Sequence, residues 1–155
     1  MRPKAGEKAP DFALLSDEGK EISLKSLKGS PVILYFYPKD DTSGCTVEAC
    51  EFRDLFPRFK KGGATVLGIS PDNVKSHVKF KKKYELPFTL LADTEKTVVL
   101  AYDVWKEKSM YGRKYMGVER TTFLIDSKGK IARVFEKVTP AGHAAEVQEA
   151  LDQLS

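Results

Sequence analysis

Two cysteines five residues apart, Cys45 and Cys50, carry the most nucleophilic side chains of this sequence. Cys45 follows an apolar run at residues 32–37 that is typical of a buried strand, and Pro38 ends that strand because it cannot donate a ladder hydrogen bond. Behind Cys45, apolar residues recur at helical spacing: Phe52, Leu55, Phe56 and Phe59. One heptad before Phe52 is Cys45 itself. The pattern therefore places this thiol in the first turn of a helix, on the inward-facing side.

The start of a helix is a position that favours thiolate over thiol. Free backbone N–H groups and about half a positive charge lie there, and thiolate is the form that attacks peroxides and disulfides. Thr42 or Ser43 is a suitable N-cap for this helix. Position alone leaves a second interpretation equally open, in which Cys45 is a small buried apolar residue, as free cysteines often are.

A longer motif surrounds the thiol. Pro38, Thr42 and Cys45 form the pattern P-x-x-x-T-x-x-C, which resembles the active-site motif of the peroxiredoxins. The string YFYPKDDTSGCTVEACEFRDLF is similar to the peroxiredoxin Q subgroup, also called bacterioferritin comigratory protein. The similarity continues in FTLLADTEKTVVLAYDVWKEK and GVERTTFLIDSKGKI, and so covers nearly the whole chain. It implies a thioredoxin-like fold and an antioxidant thiol peroxidase that reduces hydrogen peroxide and organic (alkyl) hydroperoxides.

The resemblance also implies roles for three residues. Arg120 matches the active-site arginine of the R-[TS]-T-F string; a fixed guanidinium there would favour the thiolate and donate to the peroxide oxygens. Thr42 would hydrogen-bond the peroxide and align it with the sulfur, and Pro38 would exclude water from the thiolate. Without the resemblance, Arg120 is better explained as a surface arginine. Thr42 is then a simple N-cap and Pro38 a strand terminator, and both explanations are compatible with the implied roles.

Two further residues of the same helix are candidates. Glu48 is at i+3 from Cys45, so it shares that face and could hold Arg120 by a salt bridge; a solvated first-turn acid is the alternative. Cys50 lies about 140° around the helix axis from Cys45, on the polar side. The resemblance implies that Cys50 resolves oxidised Cys45 through an intramolecular disulfide, which thioredoxin or a similar dithiol then reduces. The alternative is a chance surface cysteine.

Other kinds of site have weaker support. Trp105 and Tyr111 could line a substrate mouth, although packing in the core or at its rim is favoured. His77 and His143 are predicted on helix surfaces without a third ligand, so neither a metal site nor a Cys-His protease is expected. No metal, haem or flavin is required. The rival functions are a disulfide oxidoreductase on the same fold, which would normally carry Cys-x-x-Cys, and a non-catalytic chaperone or binding module.

The elements that must position these residues alternate between strand and helix. We expect an α/β, thioredoxin-like fold: a central mixed sheet with helices on both faces and an N-terminal β-hairpin. The three later helices are expected to begin at Asp72, at either Asp93 or Thr94, and at Pro140. Pro57 is expected to kink the first helix. Residues 104–118 are expected to be irregular. The predicted strands cover residues 12–15, 21–24, 32–37, 65–69, 89–91, 121–125 and 130–136, and the predicted helices run from about 43 to 61, 72 to 84, 94 to 102 and 140 to the end.

Length, charge and segment composition exclude other classes. A chain of 155 residues is expected to form one domain over residues 1–155. The net charge of +4 is modest and interleaved, so nucleic-acid binding is not expected. With neither a signal peptide nor an apolar stretch of about 18 residues, we expect a cytoplasmic protein without a membrane partner. Since no C-terminal arm is evident, a monomer is expected.

Overall fold

The computed structural model describes residues 1–154. Its strands are β1 (Ala13–Ser16), β2 (Glu21–Ser23), β3 (Val32–Phe36), β4 (Thr65–Ser70), β5 (Thr89–Ala92), β6 (Trp105–Met110), β7 (Arg113–Val118), β8 (Thr121–Ile125) and β9 (Ile131–Phe135). Its α-helices are α1 (Ser43–Lys61), α2 (Val74–Tyr84), α3 (Thr97–Ala101) and α4 (His143–Asp152), and a 3-10 turn spans Lys25–Leu27.

Seven strands form one mixed sheet in the order β2-β1-β5-β4-β3-β8-β9. The β3–β4 and β4–β5 pairs are parallel, and the other pairs are antiparallel. Helices α1 and α2 make the two parallel crossovers, which need a connection of this length. The mixed sheet and the N-terminal hairpin are therefore confirmed.

The central strand β3 separates two apolar cores because its side chains alternate across the sheet. Ile33 and Tyr35 belong to the core that also contains buried residues of α1, α2 and α4. Leu34 and Phe36 belong to the core that contains α3. Every residue of β3 is buried, as expected for a strand covered on both faces. The prediction of helices on both faces is confirmed.

Residues 104–118 were predicted to be irregular, and that prediction is wrong. They contain β6 and β7, which pair with each other in a separate two-stranded ribbon. The turn residues Tyr111 and Gly112 both have left-handed backbones, with φ of 51° and 79°, as a tight hairpin turn requires. Tyrosine is an unusual residue in such a turn, and the strands carry many charges, so the usual hairpin signal is missing. Tyr111 is 99% exposed and packs in neither core nor rim, whereas Trp105 packs partly buried against the α3 core, as predicted.

The predicted starts of the three later helices need correction. Asn73, not Asp72, caps α2 by accepting a hydrogen bond from the Ser76 amide. Helix α3 begins only at Thr97, and the Asp93 carboxylate accepts from two amides of its first turn. Helix α4 begins at His143 after a left-handed Gly142, so Pro140 lies in the preceding loop. Only Asn73 has the extended backbone and the side-chain acceptor of a typical N-cap; the N-caps of α3 and α4, Lys96 and Gly142, have left-handed backbones.

Helix α1 has the predicted bounds. It runs unbroken from Ser43 to Lys61 with Pro57 inside it, and the kink expected at Pro57 stays a prediction. Gly62 follows as the C-cap, and Gly63 has φ of 77°, a conformation that glycine adopts without a steric penalty. In residues 1–154, no helix is both long enough and apolar enough to cross a membrane.

Candidate active site

Cys45 lies in the first turn of α1 and is 1% exposed. The helix begins with the hydrogen bond from the Thr46 amide to the Thr42 carbonyl, 2.8 Å long. The preceding amides of the first turn have no acceptor within the helix, and the positive end of the helix dipole lies among them. The predicted placement of the thiol, inward-facing and at a helix N-terminus, is confirmed.

Thr42 occupies the N-cap position with an extended backbone, but its side chain does not cap the helix. Its hydroxyl donates instead to the Lys39 carbonyl at 2.9 Å. The prediction that Thr42 or Ser43 is the N-cap is therefore confirmed for the position of Thr42, although its side chain makes no capping hydrogen bond. This hydrogen bond from Thr42 to Lys39 shapes the segment between Pro38 and α1. It also means that the Thr42 hydroxyl accepts nothing from the first-turn amides.

Arg120 joins Cys45 and Glu48. Its Nη2 donates to the Cys45 Sγ at 3.4 Å, and its Nη1 donates to the Glu48 Oε1 at 2.8 Å. Strand β8 brings the arginine there because Thr121 pairs with Phe36 at the end of β3. Gly44 leaves room for the guanidinium, since a Cβ on Gly44 would lie 3.2 Å from the Arg120 Nη2.

Glu48 is buried, with 1% of its surface exposed. The alternative of a solvated first-turn acid is therefore wrong. Burial raises the pKa of the Glu48 carboxyl from about 4.5 to about 7, although the Arg120 charge acts in the opposite direction. Within residues 1–154, its Oε2 has no hydrogen-bond partner. This carboxylate orients Arg120 with one oxygen only.

Cys50 stands apart from this group. It is half-buried, and both cysteines are free thiols. The helix is continuous between Cys45 and Cys50, so the two side chains project in different directions. Pro38 is half-buried and lies two residues after the end of β3. The structure thus brings Cys45, Arg120 and Glu48 together by hydrogen bonds, places Pro38 and Thr42 in the adjoining loop, and leaves Cys50 one and a half turns away.

A family model described as the AhpC/TSA family matches residues 5–134. The chain belongs to the AhpC/TSA family. A protein of Coxiella burnetii is 57% identical over 147 residues, which is 95% of this chain and 97% of that protein. The peroxiredoxin Bcp of Bacillus subtilis is 46% identical over 155 residues, covering 100% of this chain and 99% of the relative.

Among solved structures, the chain is similar to the bacterioferritin comigratory protein of Xanthomonas campestris, which was studied for its alkyl peroxide reduction activity. The TM-score is 0.90 and the identity is 40%, over 96% of this chain and 98% of that one. This similarity confirms the thioredoxin-like fold. The protein is a peroxiredoxin, a thiol-dependent peroxidase. The two rival functions, a disulfide oxidoreductase and a non-catalytic binding module, are not supported.

Both histidines of this peroxiredoxin are buried, so their predicted placement on helix surfaces is wrong. His143 Nε2 lies 2.7 Å from the Thr122 hydroxyl, and its Nδ1 lies 2.7 Å from a Glu146 carboxylate oxygen. Burial lowers the pKa of His143. Because Thr122 lies in β8 and β8 begins directly after Arg120, the hydrogen bond between His143 and Thr122 links α4 to the strand next to the arginine. In the sequence, the signal for this contact between His143 and Glu146 was their i+3 spacing.

The other histidine, His77 of α2, supports the loop before α1. Its Nδ1 lies 2.7 Å from the buried Asp40 carboxylate, which also accepts from the hydroxyls of Tyr37 and Ser76. Asp40, Asp72 and His77 place three potential metal ligands within 4.8 Å of one another. Each of these ligand atoms already has a protein hydrogen-bond partner, so the network accounts for the cluster as a support of the loop.

The ribbon carries a further cation, Lys108, whose pKa is sensitive to the charge of Arg120. Burial lowers the pKa of Lys108 on β6, and the Arg120 charge lowers it further. Its side chain lies across Gly117 of β7, where an added Cβ would be 3.4 Å from the Lys108 Cδ. Sequence reasoning missed Lys108 because the ribbon itself was not predicted.

Glu48→Gln is expected to remove a pH dependence of stability. In the folded peroxiredoxin the Glu48 pKa is about 7, against about 4.5 for an ordinary glutamate. Between these pH values the folded state holds a proton that the unfolded state has released, so the free energy of unfolding falls as pH rises. The loss across this window is on the order of 3 kcal/mol. Glutamine cannot ionise and lacks this loss.

Chemical denaturation at pH 4.5, 5.5, 6.5 and 7.5 measures the effect as the difference between wild type and Glu48→Gln. Glu149→Gln, at an exposed glutamate of α4, is the matched control and should give a constant difference. A constant difference for Glu48→Gln as well would show that Glu48 does not titrate near pH 7.

Proposed function

We propose that the Cys45 thiolate is the nucleophile of this peroxidase and that hydrogen peroxide and alkyl hydroperoxides are its substrates. The thiolate attacks one peroxide oxygen, the O–O bond breaks, and the other oxygen leaves as water or an alcohol after taking up a proton. Cys45 becomes a sulfenic acid. The observation that carries this proposal is the Arg120 guanidinium, which donates to the Cys45 sulfur and is oriented by the buried Glu48.

The surrounding residues have complementary roles in this proposal. Arg120 stabilises the anionic sulfur and, with its planar fork, the charge that develops on the peroxide oxygens. Glu48 is a positioning residue, because it touches the arginine and not the sulfur. Thr42 hydrogen-bonds the peroxide once its hydroxyl leaves the Lys39 carbonyl. Pro38 shields the sulfur from water. The alkyl peroxide reduction studied for the Xanthomonas campestris relative supports the substrate class.

Recycling uses Cys50. Its thiol condenses with the Cys45 sulfenic acid, which forms a Cys45–Cys50 disulfide and releases water. A dithiol protein, thioredoxin or a similar one, then reduces this disulfide by exchange and is itself oxidised. No metal, haem or flavin takes part in these steps. The free state and partial exposure of Cys50 support this role.

The disulfide cannot form while α1 is whole. Residues five apart in a helix have Cα atoms roughly 8.6 Å apart, from a rise of about 7.5 Å and a lateral offset of about 4.3 Å. A disulfide usually needs less than about 7 Å, with the Cβ atoms facing each other. The first turns of α1 must therefore unwind in each cycle. Ser43 and Gly44 have low helix propensity, and β-branched Thr46 and Val47 follow, so the sequence permits it.

The setting of this reaction is part of the proposal. We place the peroxiredoxin in the cytoplasm, as one domain and as a monomer, without a nucleic-acid or membrane partner. The sequence has two cysteines, and the proposal assigns both to catalysis and neither to a structural disulfide, which agrees with a reducing compartment. An intramolecular disulfide needs no second subunit, which agrees with a monomer.

Arg120→Ala is expected to lower the rate constant for hydrogen peroxide by about a hundredfold or more, because the variant lacks a charge-assisted donor aimed at the reacting atoms. Arg120→Lys keeps the charge without the fork and should lie between the two. Arg58→Ala, at an exposed arginine of α1, is the control. Rates are measured by stopped-flow at limiting peroxide, and circular dichroism checks the fold. An unchanged rate in folded Arg120→Ala would contradict the proposed site.

A further inference from the structure

The residue before the N-cap of α1 has an unusual backbone. Asp41 has φ of 57°, a left-handed conformation that costs a non-glycine residue about 1 kcal/mol, although aspartate tolerates it better than most. Both oxygens of its carboxylate are used by the last residues of α2. The Lys83 Nζ lies 2.8 Å from Oδ2, and the Tyr84 hydroxyl donates to Oδ1 at 2.8 Å. The pKa shifts agree with this pairing: the hydrogen bond from Lys83 lowers the pKa of Asp41, and the one to Asp41 raises that of Lys83.

The same turn of α2 also holds α1 beyond Cys50. The Arg53 Nη1 donates to the backbone carbonyl of Tyr84 at 2.8 Å. Tyr84 is half-buried, and its ring makes an edge contact with the buried Phe80 at 5.5 Å. Tyr84 therefore contacts Asp41 through its hydroxyl and Arg53 through its carbonyl. These two residues bracket residues 42–50, the segment that contains both cysteines.

We propose that the C-terminal turn of α2 is a brace that fixes both ends of residues 42–50, and that Asp41, Lys83 and Tyr84 are positioning residues for the fate of oxidised Cys45. The inference rests on the proposed function, because it concerns the unwinding that the Cys45–Cys50 disulfide requires. The contacts to Asp41 stabilise the folded form of the segment. Their loss lets the backbone of Asp41 relax and raises the population of the unwound form.

Two reactions compete for the Cys45 sulfenic acid. In the folded form a second hydroperoxide oxidises it to the sulfinic acid, and the hydroperoxide leaves as water or an alcohol. In the unwound form the Cys50 thiol condenses with it, which gives the disulfide and water. The fraction of Cys45 that is over-oxidised at a given peroxide concentration therefore reports the population of the unwound form.

Tyr84→Phe and Lys83→Ala each remove one contact to Asp41, and Tyr84→Phe keeps the ring and the carbonyl that accepts from Arg53. The measured quantity is the peroxide concentration at which half of Cys45 is over-oxidised. Each variant is expected to raise this concentration by about two- to tenfold, because the loss of one net hydrogen bond shifts a two-state equilibrium by about that factor. Lys83→Arg keeps the ion pair and should restore the wild-type value. Lys82→Ala, at the exposed neighbouring lysine, should leave it unchanged. Mass spectrometry of fully reduced protein, treated with a peroxide series, counts sulfinic acid against disulfide.

The outcomes separate this inference from the proposed function. If wild type forms no Cys45–Cys50 disulfide, the proposed function fails and the brace fails with it. If wild type forms the disulfide but Tyr84→Phe and Lys83→Ala over-oxidise at the wild-type concentration, the brace alone is overturned. These variants could instead show a lower melting temperature while the peroxide concentration that over-oxidises half of Cys45 stays unchanged. That result would also overturn the brace, because it is what a purely structural role predicts.

Discussion

Cys45→Ser is expected to abolish peroxide turnover and to leave the fold intact. A serine hydroxyl is not ionised at neutral pH, so the variant lacks the anionic nucleophile that opens the O–O bond. The expected loss is about a thousandfold or more, as for other enzymes whose nucleophile is replaced. The side chain is buried beside Arg120, and an oxygen there can accept the hydrogen bond that the sulfur accepts now.

Peroxide consumption in the presence of a thioredoxin system measures the loss, and the melting temperature checks the fold. Cys50→Ser is the matched control in a single-turnover assay without thioredoxin, because it changes the other thiol to the same hydroxyl. In that assay Cys50→Ser should still react once with peroxide, whereas Cys45→Ser should not react. Turnover near the wild-type rate in Cys45→Ser would return this residue to its second interpretation, a small buried apolar side chain.

Much of the fold could be predicted because local signals and tertiary packing agree. The apolar run of β3, the turn residues between β1 and β2, and the glycines after α1 each specify their element with local chemistry. The ribbon β6–β7 could not be predicted in this way. Its strands are stabilised by pairing with each other more than by burial, and most of its side chains are exposed. A period-2 apolar pattern, on which strand prediction depends, has no reason to occur there.

The centre of the site could be predicted in part for a similar reason. Helical periodicity alone predicts that Cys45 and Glu48 lie on one face of α1, and this prediction is confirmed. The position of Arg120 depends on the register between β3 and β8, which the sequence does not reveal without the resemblance. The buried histidines were missed because a polar residue on a helix is by default assigned to the surface. Both histidines can be buried because all four ring nitrogens have partners. Those of His77 are the Asp40 carboxylate and the Leu91 carbonyl. Those of His143 are the Thr122 hydroxyl and the Glu146 carboxylate.

Cys50→Ser is expected to react once with peroxide and then to lose recycling by thioredoxin. Without the second thiol, the Cys45 sulfenic acid has no intramolecular partner, so it persists or is over-oxidised to the sulfinic acid. Mass spectrometry after one equivalent of peroxide should find that species in the variant and a Cys45–Cys50 disulfide in wild type. Full recycling in Cys50→Ser would assign resolution to a thiol of another molecule.

The same variant isolates the structural change that the disulfide demands. Because the two Cα atoms cannot approach within bonding range while α1 is whole, oxidised wild type should lose amide protection from about residue 42 to residue 50, and the strands of the central sheet should keep theirs. Oxidised Cys50→Ser has the modified sulfur but no cross-link, so its first turns should stay as protected as in the reduced protein. Hydrogen exchange on the reduced and oxidised forms of both proteins measures this directly. Equal protection of residues 42–50 in oxidised wild type, with the cross-link confirmed by mass spectrometry, would refute the unwinding of α1.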